Sequence, residues 1–294
     1  MKTFILKGCG TALVTPFRNG EVDYESYASL VDAQVRGGVD FLVALATTSE
    51  TPALSAEEKV KILQLTREHC AGLPVVVGCG SNAVAPTLAN MALLEPYGVD
   101  AWLVVVPFYN KPTQEGQYRY FKTVAASTDK PVVIYNVPGR TGSNMEASTC
   151  LRLARDVENI VAVKEASGRF DQVAEIIHGA PDGFSVLSGD DDMTFRIISE
   201  GGAGVVSVAS NIAPAEVSEM CSAALSGDSA KAAALDGRLS PLFKACFIES
   251  NPIPVKAGLS LMGMMTSEVR LPLSEAADAT KEKMAGVLAG LGKF

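Results

Sequence analysis

The sequence predicts an α/β protein, a (β/α)8 TIM barrel with a C-terminal helical extension, and three observations support this fold. Short runs of apolar and β-branched residues alternate eight times with longer segments of helical spacing. The composition does not change along these eight units, which favours one closed parallel barrel over a doubly wound sheet. Only helical patterns follow the eighth unit, so we assign residues 1–225 to the barrel and residues 226–294 to the extension.

The predicted strands are short apolar runs, most of them preceded by a glycine or a proline. Continuous apolar runs of this kind are typical of strands that are buried on both faces, as in a parallel barrel. In chain order they are Ala12–Val14, Phe41–Leu45, Val75–Val77, Ala101–Val106, Val132–Tyr135, Ile160–Val163, Phe184–Leu187 and Val205–Val208.

Helical segments of ten or more residues are expected after each strand. The segment Ala56–Cys70 begins after Ser55, and Glu58 completes the pattern of a capping box. A second such segment is Gln114–Ser127. The last part of the chain predicts helices at Pro214–Leu225, Ala230–Cys246 and near Ser274–Leu291, with a non-helical elbow at Glu249–Pro254.

The composition describes a chain that can bury a large core and carries excess negative charge. Hydrophobic residues make up 48% of the chain and charged residues 20%, so disorder is not expected. The net charge of −8 argues against binding to nucleic acids or anionic membranes, because no dense basic patch occurs. Acidic metabolites can still bind where a local arginine or lysine reverses the field.

Cysteine usage and the first residues predict a cytoplasmic protein. Six cysteines are scattered without a Cys-x-x-Cys pair, which is typical of buried thiols in a reducing compartment. The segment Met1–Lys7 has only three consecutive apolar residues, too few for a signal peptide, and no later run is long enough to span a membrane.

The two histidines, His69 and His178, stand in helical segments away from the strand ends. Serine–histidine triads and histidine-rich zinc sites are therefore not expected. Proton transfer must then use tyrosine, lysine, aspartate or glutamate.

Reactive side chains follow several predicted strands, and in TIM barrels the active site lies at the carboxyl ends of the strands. Lys164 closes the apolar run Ile160–Val163 and is expected to open a loop. Burial there favours the neutral amine, which can attack a ketone to form a Schiff base. The other candidates at strand ends are Thr47, Thr48, Tyr109, Tyr135 and Arg140.

Each candidate also has a simpler explanation. Lys164 could pair with Glu165 or another acid, the tyrosines could cap the core, the threonines could form a turn, and Arg140 could be a loop charge. Together they supply an amine nucleophile, hydroxyls for proton transfer and a guanidinium that can bind a carboxylate. We therefore favour a shared active site.

The acidic run Asp190–Asp192 supports an alternative of a different class. These carboxylates could hold Mg²⁺ in a metal-dependent barrel lyase or hydrolase. We favour helix N-terminal acids that are stabilised by the macrodipole, because no histidine or further carboxylate cluster occurs at the other strand ends. No metal site is predicted.

Segments along nearly the whole chain resemble the pyruvate-dependent class I aldolase superfamily. They are Leu13–Phe17, Ala46–Glu50, Tyr109–Gly116, Tyr135–Gly142, Val163–Gly168, Ser188–Asp191 and Asn251–Lys256. Within the superfamily the chain is most similar to the dihydrodipicolinate synthases. These carry an arginine at the position of Arg140, which N-acetylneuraminate lyases typically lack, and Asn251–Lys256 is also similar to the synthases.

This resemblance implies a lyase that condenses pyruvate with L-aspartate 4-semialdehyde to 4-hydroxy-tetrahydrodipicolinate, in lysine and diaminopimelate biosynthesis. It implies no metal and no organic cofactor. The alternatives within the superfamily are an N-acetylneuraminate lyase or a keto-deoxy-sugar-acid aldolase, which would share Lys164 and Tyr135 but accept a different aldehyde.

The resemblance also implies a role for each residue. Lys164 would form an imine with pyruvate, Tyr135 would donate and accept protons, and Thr47 would link Tyr135 to Tyr109. The remaining roles are binding of the pyruvate carboxylate by Thr48 and the backbone of Val206, and binding of the semialdehyde carboxylate by Arg140. The implied assembly is a homotetramer, a dimer of dimers in which Tyr109 reaches the neighbouring site.

Two departures from the family pattern carry expectations. The family's usual Gly-Thr-Thr-Gly-Glu is replaced by Ala46–Glu50 in this chain. If either replaced glycine has a positive φ in the family, Ala46 or Ser49 would strain the loop here. We expect altered kinetics with function retained.

The second departure concerns feedback by lysine. The positions matching the lysine-feedback pocket carry Ala56, Lys59, Pro86 and Phe108, with Asn82 retained. Lys59 would repel a cationic effector, so weak or absent inhibition by lysine is expected.

Overall fold

The computed structural model describes residues 4–293, so Met1–Thr3 and Phe294, the ends of the two predicted ranges, lie outside the described residues. Eight parallel strands form a closed barrel in which the last strand pairs with the first. They are β1 (Gly8–Ala12), β2 (Phe41–Ala44), β3 (Val75–Gly78), β4 (Ala101–Val105), β5 (Val132–Asn136), β6 (Ile160–Glu165), β7 (Ser185–Ser188) and β8 (Gly204–Ser207). The predicted TIM barrel is confirmed.

Helices follow the strands around the outside of the barrel. They are α1 (Tyr24–Arg36), α2 (Ala56–His69), α3 (Val84–Leu94), α4 (Gln114–Ala125), α5 (Ala147–Asp156), α6 (Phe170–Gly179), α7 (Thr194–Ser199) and α8 (Pro214–Leu225). A one-turn helix, Pro138–Thr141, lies between β5 and α5, and a short hairpin pairs Phe17–Arg18 with Glu21–Val22. The capping box predicted at Ser55 and Glu58 is present at the start of α2.

Three further helices form the C-terminal extension: α9 (Ser229–Ala245), α10 (Ile253–Leu261) and α11 (Asp278–Leu291). Helix α9 packs against both α8 and α11. The boundary between residues 225 and 226 remains a prediction. Among residues 4–293, no helix combines the length and the apolar character needed to cross a membrane.

The strands are buried on both faces, which explains their continuous apolar sequences. Side chains alternate between the barrel interior and the layer under the helices. The interior cluster contains Ala12, Phe41, Val43, Val76, Leu103, Val133, Tyr135, Ala162, Leu187 and Val206. The outer layer includes Leu42, Val77, Trp102, Ile134 and Val163. This alternation directs Tyr135 and Lys164 inward.

The first strand begins four residues before the predicted Ala12–Val14. Glycine is a poor strand former, so propensity conceals this strand. The glycines are required by close packing, since a β-carbon on Gly10 would lie 2.0 Å from the Phe41 ring. Gly8 also adopts a φ of 89°, which only glycine adopts readily.

Three other predictions need correction. Strand β6 extends to Glu165, so Lys164 is a strand residue and does not open a loop. Helix α7 has only six residues, fewer than the ten expected. Helix α10, which was not predicted, begins at Ile253 inside the predicted elbow. Pro254 is tolerated there because it lies in the first helical turn, where no backbone N–H bond is lost.

Candidate active site

Lys164 and Tyr135 form a cross-strand pair at the carboxyl ends of β6 and β5. They are register partners in the parallel ladder, and both are buried. The Nζ atom of Lys164 lies 4.2 Å from the centroid of the Tyr135 ring. Among the described residues, no carboxylate lies within the 4.0 Å ion-pair distance of this amine. The geometry thus presents an unpaired amine beside a phenol.

Glu165, the next residue along β6, points to the opposite face of the strand. Its carboxylate accepts hydrogen bonds from Asn136 Nδ2, the Ser167 backbone N–H and Gln172 Nε2, at distances between 2.8 and 3.2 Å. Burial raises the pKa of the Glu165 carboxyl, and these hydrogen bonds oppose that rise. The alternative in which Lys164 pairs with Glu165 is therefore wrong.

The segment with both threonines forms a 3₁₀ turn, Thr47–Ser49, after β2. Thr48 is buried, and its Oγ1 accepts a hydrogen bond from Asn251 Nδ2 at 3.0 Å. The Ser49 hydroxyl donates to the Leu13 carbonyl at 2.7 Å. These contacts connect the turn to the extension and to β1.

The replaced glycines of this turn carry no backbone strain. Ala46 has an extended conformation with φ of −90°. The left-handed residues flank the two replaced positions: Leu45, with φ of 55°, precedes Ala46, and Glu50, with φ of 53°, follows Ser49. Ser49 itself is not among the positive-φ residues. The condition under which Ala46 or Ser49 would strain the loop is not met.

Glu50, which closes the turn, forms a buried ion pair with the extension. Lys256 Nζ lies 2.7 Å from Glu50 Oε1, and both side chains are almost fully buried. The second Glu50 oxygen accepts a hydrogen bond from the Arg270 backbone N–H at 2.9 Å. Burial lowers the pKa of Lys256 to about 8, although the Glu50 carboxylate opposes the shift. The pair joins the threonine turn to α10.

Arg140 lies in the one-turn helix after β5 and is exposed at the rim. Its Nη2 donates to the Asn251 carbonyl at 3.3 Å. Arg140, Thr47 and Tyr135 all line a cavity of about 430 Å³. Lys59 and Phe108 line the same cavity. The structure therefore brings these three predicted site residues together.

Two predicted residues lie around this group and one lies apart. Val206 belongs to the same interior cluster as Tyr135, and Thr48 is next to the cavity-lining Thr47. Tyr109 is 87% exposed and adopts a left-handed φ of 72°. Tyr109 is not among the residues that line the cavity, whereas its neighbour Phe108 is.

In the acidic run after β7, the central carboxylate, Asp191, makes structural hydrogen bonds. The Asp191 carboxylate accepts from Ser207 Oγ at 2.5 Å and from the backbone N–H groups of Val208 and Ala209 at 3.0 Å. Burial, together with the charge of Asp192, raises the pKa of Asp190 to about 6. Within residues 4–293, no three His, Cys, Asp or Glu side chains are grouped as metal ligands.

The histidines and cysteines lie where the sequence analysis expected them. His69 Nδ1 is 2.9 Å from Asp32 and His178 Nε2 is 2.9 Å from Glu200, both on helices outside the barrel. All six cysteines are free and buried.

The sequence did not predict that several further residues support the site. Asn136, Glu165, Gln172 and Asn251 each hold a predicted site residue or its strand through a side-chain hydrogen bond. In the sequence, Asn251 stands out only as part of the family-like segment Asn251–Lys256. Its partner Thr48 is 203 residues away, so no local pattern could reveal the contact.

Comparison with known proteins agrees with this geometry. The model of the dihydrodipicolinate synthetase family matches residues 5–290. The 4-hydroxy-tetrahydrodipicolinate synthase of Thermotoga neapolitana is 46% identical over 288 residues, covering 97% of this chain and 98% of that protein. The enzyme of the same name from Phocaeicola vulgatus is 48% identical over 285 residues, 96% of each chain.

Solved structures extend the likeness to three dimensions. The crystal structure of dihydrodipicolinate synthase from Thermotoga maritima matches with a TM-score of 0.97 and 44% identity, covering 99% of this chain and 100% of that one. A family match over nearly the whole length and a shared barrel lead to one conclusion: the chain belongs to the dihydrodipicolinate synthetase family.

Proposed function

We propose that this protein is a lyase that condenses pyruvate with L-aspartate 4-semialdehyde to give 4-hydroxy-tetrahydrodipicolinate. The observation that carries the proposal is the amine of Lys164, buried beside Tyr135 and free of any ion pair within the described part of the chain. Relatives that bear the name of this activity, at 46% and 48% identity, support the same substrates. The reaction belongs to lysine and diaminopimelate biosynthesis.

The chemistry begins at the Lys164 amine. Its Nζ attacks the ketone carbon of pyruvate, water leaves, and a protonated imine forms. The imine accepts the electron pair released when a methyl proton departs, which gives an enamine. The enamine carbon then attacks the aldehyde carbon of the semialdehyde. Finally the amino group of that substrate displaces Lys164, which closes the ring and frees the enzyme.

In this proposal hydroxyl groups carry the proton transfer, and neither histidine is near the site. Tyr135 is the donor and acceptor next to the imine, and Thr47 connects it to a Tyr109 hydroxyl. Tyr109 of the same chain points outward, which supports a relay supplied by a neighbouring subunit. We propose a homotetramer, a dimer of dimers, for this reason.

Each of the two substrates has a carboxylate, and different residues bind the two carboxylates. Thr48 and the backbone of Val206 hold the pyruvate carboxylate near Lys164, and Arg140 holds the semialdehyde carboxylate at the mouth of the cavity. A guanidinium is suited to this task because it can donate two parallel hydrogen bonds to one carboxylate. The reaction needs no metal and no organic cofactor, and its place of action is the cytoplasm.

The test is pyruvate consumption by purified protein with L-aspartate 4-semialdehyde, with cleavage of N-acetylneuraminate measured in parallel. Turnover with the semialdehyde alone is expected. Cleavage of the sugar acid instead would contradict the role of Arg140 and assign the chain to a sister aldolase. Borohydride with pyruvate should label Lys164; chelator sensitivity without a label would contradict the Schiff base.

A further inference from the structure

A second cross-strand pair, Asn136 and Glu165, lies directly behind Tyr135 and Lys164. Asn136 Nδ2 lies 2.9 and 3.2 Å from the two carboxylate oxygens of Glu165. The two residues are register partners, one step beyond the Tyr135–Lys164 partners in the same ladder. Successive strand residues face opposite sides, so the two pairs stand back to back. A movement of either strand displaces both pairs together.

Glu165 is an unusual residue for the layer between strands and helices. It is 2% exposed, and no cation pairs with it within 4.0 Å among residues 4–293. A buried carboxylate without a counter-charge is costly, even when hydrogen bonds satisfy it. Apolar side chains fill the equivalent layer at Ile134 and Val163. A requirement other than packing therefore explains the acid.

Asn136 also anchors the segment that carries Arg140. Its Oδ1 accepts from the Met145 backbone N–H at 2.9 Å, and its Nδ2 lies 2.9 Å from Asn144 Oδ1. The chain leaves β5 at Asn136, forms the turn with Arg140, and returns to the same side chain. One amide thus fixes both ends of the segment.

We infer that Asn136 and Glu165 are positioning residues that set the separation and register of Lys164 and Tyr135 and anchor the Arg140 segment. Both act from the outer face of the strands and touch no substrate. The inference rests on the proposed Schiff-base function. A displacement of about 1 Å in such a site can lower a rate on the order of 10²-fold, so a modest shift of the ladder has a measurable effect.

The first variant is Glu165→Gln, which places an amide donor opposite the amide donor of Asn136. Two rates need pyruvate alone: borohydride trapping at Lys164, and exchange of the pyruvate methyl protons with deuterated water. Both are expected to fall at least ~10-fold. The KM for the semialdehyde is expected to rise through the Arg140 segment.

The double variant Asn136→Asp/Glu165→Gln exchanges the acid and the amide between the strands. A donor again faces an acceptor across the ladder, and Asn144 and Gln172 can turn their side-chain amides to match. The Met145 carbonyl then loses the donors that Asn136 and Gln172 supply at 3.3 and 3.1 Å, so the lost trapping and exchange rates are expected to return in part. A double variant as slow as Glu165→Gln would overturn the inference.

Thr66→Val is the matched control for a lost buried hydrogen bond. It removes the 2.7 Å bond between Thr66 Oγ1 and Tyr27 Oη, which joins α1 and α2 away from the rim. It is expected to lower the Tm without changing either rate. If Glu165→Gln likewise lowers only the Tm, the positioning role is wrong.

Failure of the proposed function is distinguishable from failure of this inference, because both rates need only pyruvate. Wild-type protein that traps pyruvate but does not consume the semialdehyde would contradict the proposed condensation alone.

Discussion

Two buried lysines of this protein have similar surroundings and different partners. The Nζ atoms of Lys164 and Lys256 each lie 4.2 Å from the centroid of an aromatic ring, Tyr135 and Phe17 respectively. Lys256 is 2.7 Å from the Glu50 carboxylate, whereas no acid within the described residues pairs with Lys164. The ring beside Lys164 carries a hydroxyl, and the ring beside Lys256 does not.

The comparison shows that burial alone does not make a lysine reactive. Burial lowers the pKa of Lys256 to about 8, yet its amine is paired with the Glu50 carboxylate and lies over the Phe17 ring. Lys164 lies beside a phenol that lines a cavity. Among the described residues, the lack of an ion-paired acid and the presence of a hydroxyl distinguish the proposed nucleophile from the structural lysine.

The largest expected effect separates the two lysines directly. Lys164→Ala should abolish imine formation with pyruvate, because no other amine faces Tyr135 in the described structure. Mass spectrometry after borohydride treatment should show no adduct. A variant that still gained one pyruvate equivalent would show that another lysine, Lys256 included, is the nucleophile.

The second prediction concerns a substitution that makes the surroundings of Lys164 resemble those of Lys256. Tyr135→Phe removes only the hydroxyl, so the fold should be retained. The kcat should fall by roughly 10²–10⁴-fold, the usual contribution of a positioned acid or base. Steady-state kinetics and circular dichroism together check this result. Unchanged kcat would mean that the hydroxyl does not distinguish the two sites.

The third prediction concerns stability. Lys256→Met leaves the buried Glu50 carboxylate without its counter-charge, and should reduce the free energy of unfolding by about 3–5 kcal/mol. The double variant Glu50→Gln/Lys256→Met removes both charges and should recover most of that loss. Urea denaturation of the three proteins gives the comparison. Equal instability of single and double variants would contradict the pair as the cause.

The smallest effect involves a third lysine, Lys59, which is half-buried in the cavity wall and whose pKa is lowered by burial. Because its charge repels a cationic effector, millimolar lysine should leave turnover nearly unchanged. The matched variant Lys59→Glu should gain sensitivity to lysine. Strong inhibition of the wild-type enzyme would show that the effector binds elsewhere.

The alternation of apolar runs and helical segments was sufficient to predict the barrel, because each βα unit carries its own local pattern. Strand ends were sufficient to place Lys164, Tyr135 and Arg140 at one rim. The first strand was misplaced because packing against Phe41, and not propensity, selects Gly10.

Long-range partners could not be predicted from local patterns. Because Glu165 is adjacent to Lys164 in the sequence, it is a possible ion-pair partner on local grounds. Strand geometry separates them to opposite faces. Lys256 and Glu50 are 206 residues apart, and nothing near either residue indicates the other.

The bonds from the extension to the threonine turn restrict how this protein can be recombined with its relatives. Asn251 bonds to Thr48 and Lys256 pairs with Glu50, so residues after α9 complete the support of a turn formed before α2. A chimera that joins this barrel to a foreign tail inherits two unsatisfied partners unless the tail supplies an equivalent asparagine and lysine. The threonine turn and the segment from Asn251 to Lys256 are therefore inherited as a matched set.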